Sequence, residues 1–255
     1  MEIPSSLLFT GFESISLSEM DGVKLMDRSD TKFLLSEEAL FRIFPAFGSD
    51  YRILEIEGLR ISRYESLYFD TADFSLYHQH RRGRLPRCKV RIRHYAETGQ
   101  RFLEVKVKSN KGRTIKERVR QQEENSISEA GAVLVKKLSG LDTASLLPCL
   151  QVDYSRITLV NRHIPERITL DLGLSFAGQD GKKEIPRLVI AEVKQERSRK
   201  SPFVQLLHEN HIREGTVSKY CWGLISLRGD LPHHHFKTKI RALHKICHGT
   251  AANTA

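Results

Sequence analysis

The chain has 255 residues, with 41 Lys and Arg against 31 Asp and Glu, and a formal net charge of +10. Its length holds one large domain or two small ones, and a hydrophobic share of 40% excludes a disordered chain. Four scattered cysteines without a Cys-x-x-Cys pair exclude a zinc ribbon and argue against a disulfide scaffold. No apolar run reaches the roughly 18–20 residues that cross a bilayer. Met1–Thr10 lacks the pattern of a secretory signal, so a reducing, cytoplasmic setting is expected. The surplus of positive charge points to anionic partners.

A leader over 1–26 precedes a strand at Asp27–Leu35. Ser36-Glu-Glu38 then caps a helix running to about Phe44. A strand is predicted over Gly58–Asp70, with Asp70 ending it or capping the short helix that runs to about His80. Arg81-Arg-Gly-Arg84 with Pro86 is a turn, read either as a solvated basic loop or as a funnel for anions. Strands follow at Arg87–Tyr95, Arg101–Lys108 and Arg113–Arg120, with hairpin signals at Gly99 and Asn110-Lys-Gly112. Ser128–Ser139 and Thr143–Leu150 read as helices. Strands return at Val152–Asn161, Glu166–Phe176 and Arg187–Glu196, and helices at Pro202–Asn210 and Val217–Leu227. The sum is an α+β fold: an eight-stranded antiparallel β-barrel, or tunnel, with helices packed outside. One domain spans 27–228, and a basic, His-rich tail covers 229–255.

Alternate residues of a strand share a face. Arg28, Asp30 and Lys32 fall on one face; so do Lys89, Arg91 and Arg93, with Val90 and Ile92 opposite. Glu104, Lys106 and Lys108 oppose Leu103, Val105 and Val107, and Lys116, Arg118 and Arg120 oppose Ile115 and Val119. Arg167, Thr169 and Asp171 form a further set, as do Glu192, Lys194 and Glu196. For any single strand this is an ordinary amphipathic pattern with its charged face in water. Across the set, like charges stack along single faces, where a solvated sheet would mix signs. If those faces turn inward, the unpaired cations demand water, carboxylates or a bound polyanion. A ligand with several phosphates fits.

Arg28-x-Asp-x-Lys32-Phe-Leu, Tyr68-Phe-Asp-Thr71, Lys89-Val-Arg-Ile-Arg93, Leu103-Glu-Val-Lys-Val-Lys108, Ile190-Ala-Glu-Val-Lys194 and Ser218-Lys-Tyr220 stand in the order expected of one family. In these motifs the chain resembles the VTC-type polyphosphate polymerase domain of the triphosphate tunnel metalloenzyme superfamily (CYTH-like fold), from about Asp27 to Leu227. The resemblance implies transfer of the ATP terminal phosphoryl group to a growing inorganic polyphosphate chain, with Mn2+ or Mg2+. Carried over by position, Lys32, Arg91, Arg93 and Lys219 would be the catalytic cations. Arg28, Lys89, Lys106, Lys108, Arg118, Arg167 and Lys194 would hold phosphates, with Tyr154 helping through its hydroxyl. Glu192 would bind metal, with Glu196 or Glu104; Glu192 reads alternatively as a salt-bridge partner. The triphosphatase and adenylyl-cyclase branch opens with Glu-x-Glu-x-Lys, whereas Arg28 and Asp30 stand here, which favours holding a longer polyanion.

Three rival readings stay open: a triphosphatase of the same fold, a non-catalytic polyphosphate- or nucleotide-binding module, and nucleic-acid binding through the basic surface. The last lacks a zinc-finger or RNA-recognition motif, so no specific nucleic acid is expected. His233-His-His235 with His244 and His248 invites a metal reading, weighed against its place in a tail with Lys237, Lys239, Arg241 and Lys245, where the His244 and His248 pair needs only a solvated helix. The tail is a candidate contact for a membrane surface or a protein partner. The oligomeric state is left open.

Overall fold

Period-two alternation builds one large sheet in the computed structural model, which describes residues 11–22, 28–196, 200–215 and 217–248. The strands are β1 (Glu13–Ile15), β2 (Arg28–Ser36), β3 (Tyr51–Leu54), β4 (Ser62–Asp70), β5 (Arg87–Tyr95) and β6 (Gln100–Lys108). They continue as β7 (Thr114–Gln121), β8 (Leu147–Asn161), β9 (Glu166–Gly178), β10 (Gly181–Ile185) and β11 (Leu188–Glu196). Among the described residues there are seven α-helices: α1 (Leu17–Gly22), α2 (Glu37–Ile43), α3 (Ser75–Arg81), α4 (Glu129–Ser139), α5 (Pro202–Glu209), α6 (Lys219–Leu227) and α7 (Lys237–His248). Ser36, Ser128, Ser201 and Ser218 cap α2, α4, α5 and α6, each accepting a hydrogen bond from a first-turn amide.

Eight strands follow one antiparallel path, β2-β11-β9-β8-β4-β5-β6-β7, while β1, β3 and β10 pair at its margins. The α+β class and the antiparallel path agree with the sequence reading. Closure by hydrogen bonds does not: β2 and β7 are not paired among the described residues. The path nevertheless curls. Laid flat, eight strands at about 4.8 Å spacing would span about 34 Å. Yet α7, about 18 Å long, packs on β2 and β11 and shares a cavity with Lys106, Lys108 and Thr114 of β6 and β7.

One face of the sheet packs on α2 and α5 behind β2, β11, β9 and β8, and on α3 and α4 behind β4, β5 and β6. The other, inner face carries the charged residues, and α6 lies across one end of it. Gly223 permits that approach, since a Cβ there would stand 2.6 Å from Leu150 and 2.7 Å from Phe176. A bulge explains how one face can be polar in one stretch and apolar in the next. The β8–β9 register shifts between Asp153 and Ser155, opposite Gly173 with φ +60°. Arg167, Thr169 and Asp171 face inward before the bulge. After it the parity reverses, and Leu174 and Phe176 join Leu150, Val152 and α6 in an apolar cluster.

Three segments depart from the sequence reading. Thr143–Leu150 is a 3-10 turn, Thr143–Ser145, followed by the start of β8. Pro148 is tolerated there because it meets Phe69 at a register shift, where a missing N–H costs little. Gly58 does not begin a strand: Glu57 and Gly58 have positive φ and turn the chain between Ile56 and Leu59, so β4 starts at Ser62. The tail folds as far as His248, with Leu243 and Cys247 of α7 buried in the cluster under α6. No helix among the described residues is long and apolar enough to cross a membrane.

Candidate functional site

Three ion-paired groups stand on the inner face. The first centres on Glu104 of β6, only 1% exposed. Register places Arg91 of β5 and Arg118 of β7 on either side of it. Arg91 donates to Glu104 Oε2 from Nε (2.8 Å) and Nη2 (2.6 Å), and to the Tyr68 hydroxyl from Nη1 (2.7 Å). Lys116 donates to Oε1 at 2.9 Å, and Arg93 Nη1 lies 3.8 Å from Oε2. Burial alone would raise the Glu104 carboxyl, but Arg91, Arg93 and Lys116 hold it well below the usual carboxylate range. Burial pushes Lys116 down to about 8, against the pull of Glu104. Tyr68 is also brought down to about 8, because Arg91, Lys89 and Arg93 outweigh its burial.

The second group centres on Asp171 of β9, which accepts both arms of Arg156 (2.6 and 2.9 Å) and the ammonium of Lys219. Burial opposes ionisation here too, yet the two cations hold Asp171 well below its ordinary value. Lys219 is the first residue of α6, so the helix delivers it across the sheet, with Nζ 4.4 Å from the centre of the Tyr154 ring. The Tyr154 hydroxyl accepts from Arg93 Nη2 at 3.0 Å, linking the two groups. Tyr64 stacks on Tyr154 at 5.3 Å and lies under the Arg93 and Arg156 guanidinium groups.

The third group is Glu192 of β11, paired with Lys32 of β2 and with Lys194 at 3.3 Å. Burial disfavours its charge, but Lys194 and Lys32 hold its carboxyl down at about 2. Arg167 meets Lys194 in register on the same face. Beyond Arg91, Lys89 donates to the Ser218 hydroxyl at 2.9 Å, and Lys106 and Lys108 continue toward the cavity beneath α7. Arg118 is exposed, its guanidinium 4.5 Å from the centre of the Phe102 ring. The side chain of Arg28 lies outside the described residues.

The structure thus brings Lys32, Glu192 and Lys194 together, and separately Arg91, Arg93 and Glu104. Glu104, Glu192 and Glu196 do not converge: among the described residues no three His, Cys, Asp or Glu side chains form a metal-holding group. Sequence reasoning passed over Arg156 and the role of Asp171. The alternation Tyr154-x-Arg156-x-Thr158 on β8 could have flagged Arg156. Asp70, fully buried, accepts from the Leu76 and Tyr77 amides at 2.9 Å and from the Tyr220 hydroxyl, so it caps α3 and ties down α6.

The VTC domain family model matches residues 27–228, which contain every group just described. The chain belongs to the VTC domain family. Its fold is that of the triphosphate tunnel metalloenzymes, a superfamily that generally uses divalent metals. A solved structure from Bacillus halodurans, provisionally assigned as an adenylate cyclase, is 17% identical with a TM-score of 0.52, covering 76% of this chain and 96% of its own. A Hippeastrum protein, provisionally an adenylyl cyclase and described as having a dominant triphosphatase activity, is 16% identical with a TM-score of 0.50, covering 82% and 100%. At such identities the likeness concerns the fold. No curated protein matches the chain. In this VTC domain each of the three carboxylates is outnumbered by its cations: Glu104 by Arg91, Arg93 and Lys116, Asp171 by Arg156 and Lys219, and Glu192 by Lys32 and Lys194.

Proposed function

We propose that this VTC domain is a polyphosphate polymerase, which transfers the γ-phosphoryl group of ATP to the end of an inorganic polyphosphate chain lying along the inner face. The surplus of cations at Glu104, Asp171 and Glu192 is the observation that carries this reading. A set of acids and bases placed only to support the fold would balance; this one keeps net positive charge for an anion of higher valence. In this reading the curled sheet acts as a tunnel, with Arg91 and Arg93 gripping phosphates at its middle.

Phosphoryl transfer asks for alignment and for neutralisation of charge on the transferred group. Arg91 is held by Glu104 and Tyr68, and Arg93 by Ser66 and Tyr154, so both guanidinium groups are oriented before substrate arrives. Lys32 and Lys219 add mobile point charges. The bond from the γ-phosphorus to the β–γ bridging oxygen breaks as an oxygen of the terminal chain phosphate bonds to that phosphorus. ADP leaves with the electron pair, and the chain is one phosphate longer. The acceptor is already anionic, so no strong general base is required.

An all-protein metal cage does not fit the separated carboxylates. A hard divalent ion bound through one carboxylate and phosphate oxygens does, and Glu192, half-buried beside Lys32 and Lys194, is the residue that would hold it. Such an ion, Mn2+ or Mg2+, would neutralise phosphate charge when bound. Glu104, engaged by two Arg and one Lys, orients Arg91 instead.

The test is incubation with ATP and Mn2+ followed by a gel stained for polyphosphate. Polymer should form with the unmodified protein and fall about 100-fold in Arg91→Ala. Phosphate release without chain growth would mark a triphosphatase instead.

A further inference from the structure

Beyond the paired groups, a cavity of about 430 Å3 opens beneath α7. Its floor carries Arg87, Lys89, Lys106 and Lys108, with Lys239 above, and among the described residues no acid lines it. Its opposite wall is apolar: Trp222 and Ile225 from α6, then Phe236, Ile240 and Leu243 from the tail. That tail lies outside the matched residues 27–228. The cavity also opens onto the charged ladder. Lys89 pairs with Lys106 one rung, about 7 Å, from the rung where Arg91 pairs with Glu104.

We infer that this cavity is the nucleoside subsite of a nucleoside triphosphate, with the tail-built wall of Phe236 and Ile240 holding the base while the phosphates run along the lysine rungs toward Arg91. The inference rests on the proposed ATP-dependent reaction and adds to it the part of the chain that tells a nucleotide from a bare triphosphate. The size suits a small ligand. Cations on one wall and hydrocarbon on the other suit an anion carrying a flat, apolar body. His80 also lines the cavity, and burial with the neighbouring Lys89 pushes its imidazole down to about 3, leaving an uncharged ring. An acyl chain would need apolar walls all round, which the lysines deny it.

The experiment compares the binding of ATP and inorganic tripolyphosphate, by calorimetry without turnover, to the full chain and to the double variant Phe236→Ala/Ile240→Ala. Both side chains are half-buried and outside the catalytic groups. In the unmodified protein ATP should bind more tightly than tripolyphosphate. The variant should lose about tenfold in ATP affinity and stay within about twofold for tripolyphosphate, which also reports that it is folded. Equal affinity for the two ligands in the unmodified protein overturns the subsite and leaves the polymerase reading standing. A parallel loss for both ligands in the variant overturns it as well, making the wall a packing element. If neither ligand binds the unmodified protein, the polymerase reading fails and the subsite with it.

Discussion

Behind β2, β11, β9 and β8 lies a thick apolar layer that includes Leu40 and Ile43 of α2, Phe44 and Phe47 of the following 3-10 turn, and Phe203 and Leu207 of α5. Behind β5 and β6 the layer is thinner and comes mainly from α4 and the loops around it, while β7 is exposed along most of its length. The fronts differ in the same sense. On the well-backed side Asp171 and Glu192 each face two cations; on the thin side Glu104 faces three, and Lys89, Lys106 and Lys108 extend the positive charge beyond it. One half is a scaffold that can hold its groups unaided. The other carries more charge than its packing comfortably supports, and is the half that a polyanion would complete.

The largest test of that contrast is removal of the two acids. Glu104→Gln leaves Arg91, Arg93 and Lys116 facing one another in a buried site and should cost about 3–5 kcal/mol in urea unfolding. Glu192→Gln, at a partly exposed pair, should cost only about 1–2 kcal/mol. Tripolyphosphate should restore part of the first loss; equal losses for the two variants would erase the distinction between the halves.

A second test uses pH. Tyr68 and Lys116, both near 8, each make the thin half one charge more negative when they lose a proton. Tripolyphosphate affinity should therefore be full at pH 7 and fall several-fold by pH 9, with Tyr68→Phe flattening part of the slope. An affinity that rises with pH would contradict the assignment.

The smallest expected effect is local. Hydrogen exchange in β6 and β7 should slow more on adding tripolyphosphate than exchange in β9 and β11, within the ceiling of about 2.7 kcal/mol set by ligand at 100 times its Kd. Uniform slowing would show that the two halves open as one unit.

The strands of the charged face were legible because their alternation is local. Lys89-x-Arg91-x-Arg93 on β5 reads correctly from spacing alone, and Ser36 marks the start of α2. What local spacing could not show is where parity breaks. Gly173 looks like any strand glycine, yet it turns Leu174 and Phe176 onto the face that Asp171 occupies. Nor could it show that Lys219, nearly fifty residues from Asp171, would be that residue's partner, since only α6 lying across the sheet brings them together. The tail read as a solvated basic segment because Lys237, Lys239, Arg241, Lys245 and five histidines are interspersed with its apolar residues. Burial of Leu243 and Cys247 needed the cluster under α6, which other parts of the chain supply.

The start of α6 carries a further consequence. Amide groups there give the helix a positive end, yet the chain places Lys219 in the first turn and aims Lys89 at the capping Ser218. For the helix end alone Asp or Glu would suit these positions, but at residue 219 an acid would stand against Asp171, which Lys219 pairs. Lys89 is the one that costs folding free energy, since burial pushes its ammonium down and its hydrogen bond goes to the neutral Ser218 hydroxyl. Under the proposed function, engineering for thermostability should therefore leave residue 89 untouched, because a substitution that stabilises the empty protein there would remove a proposed phosphate contact.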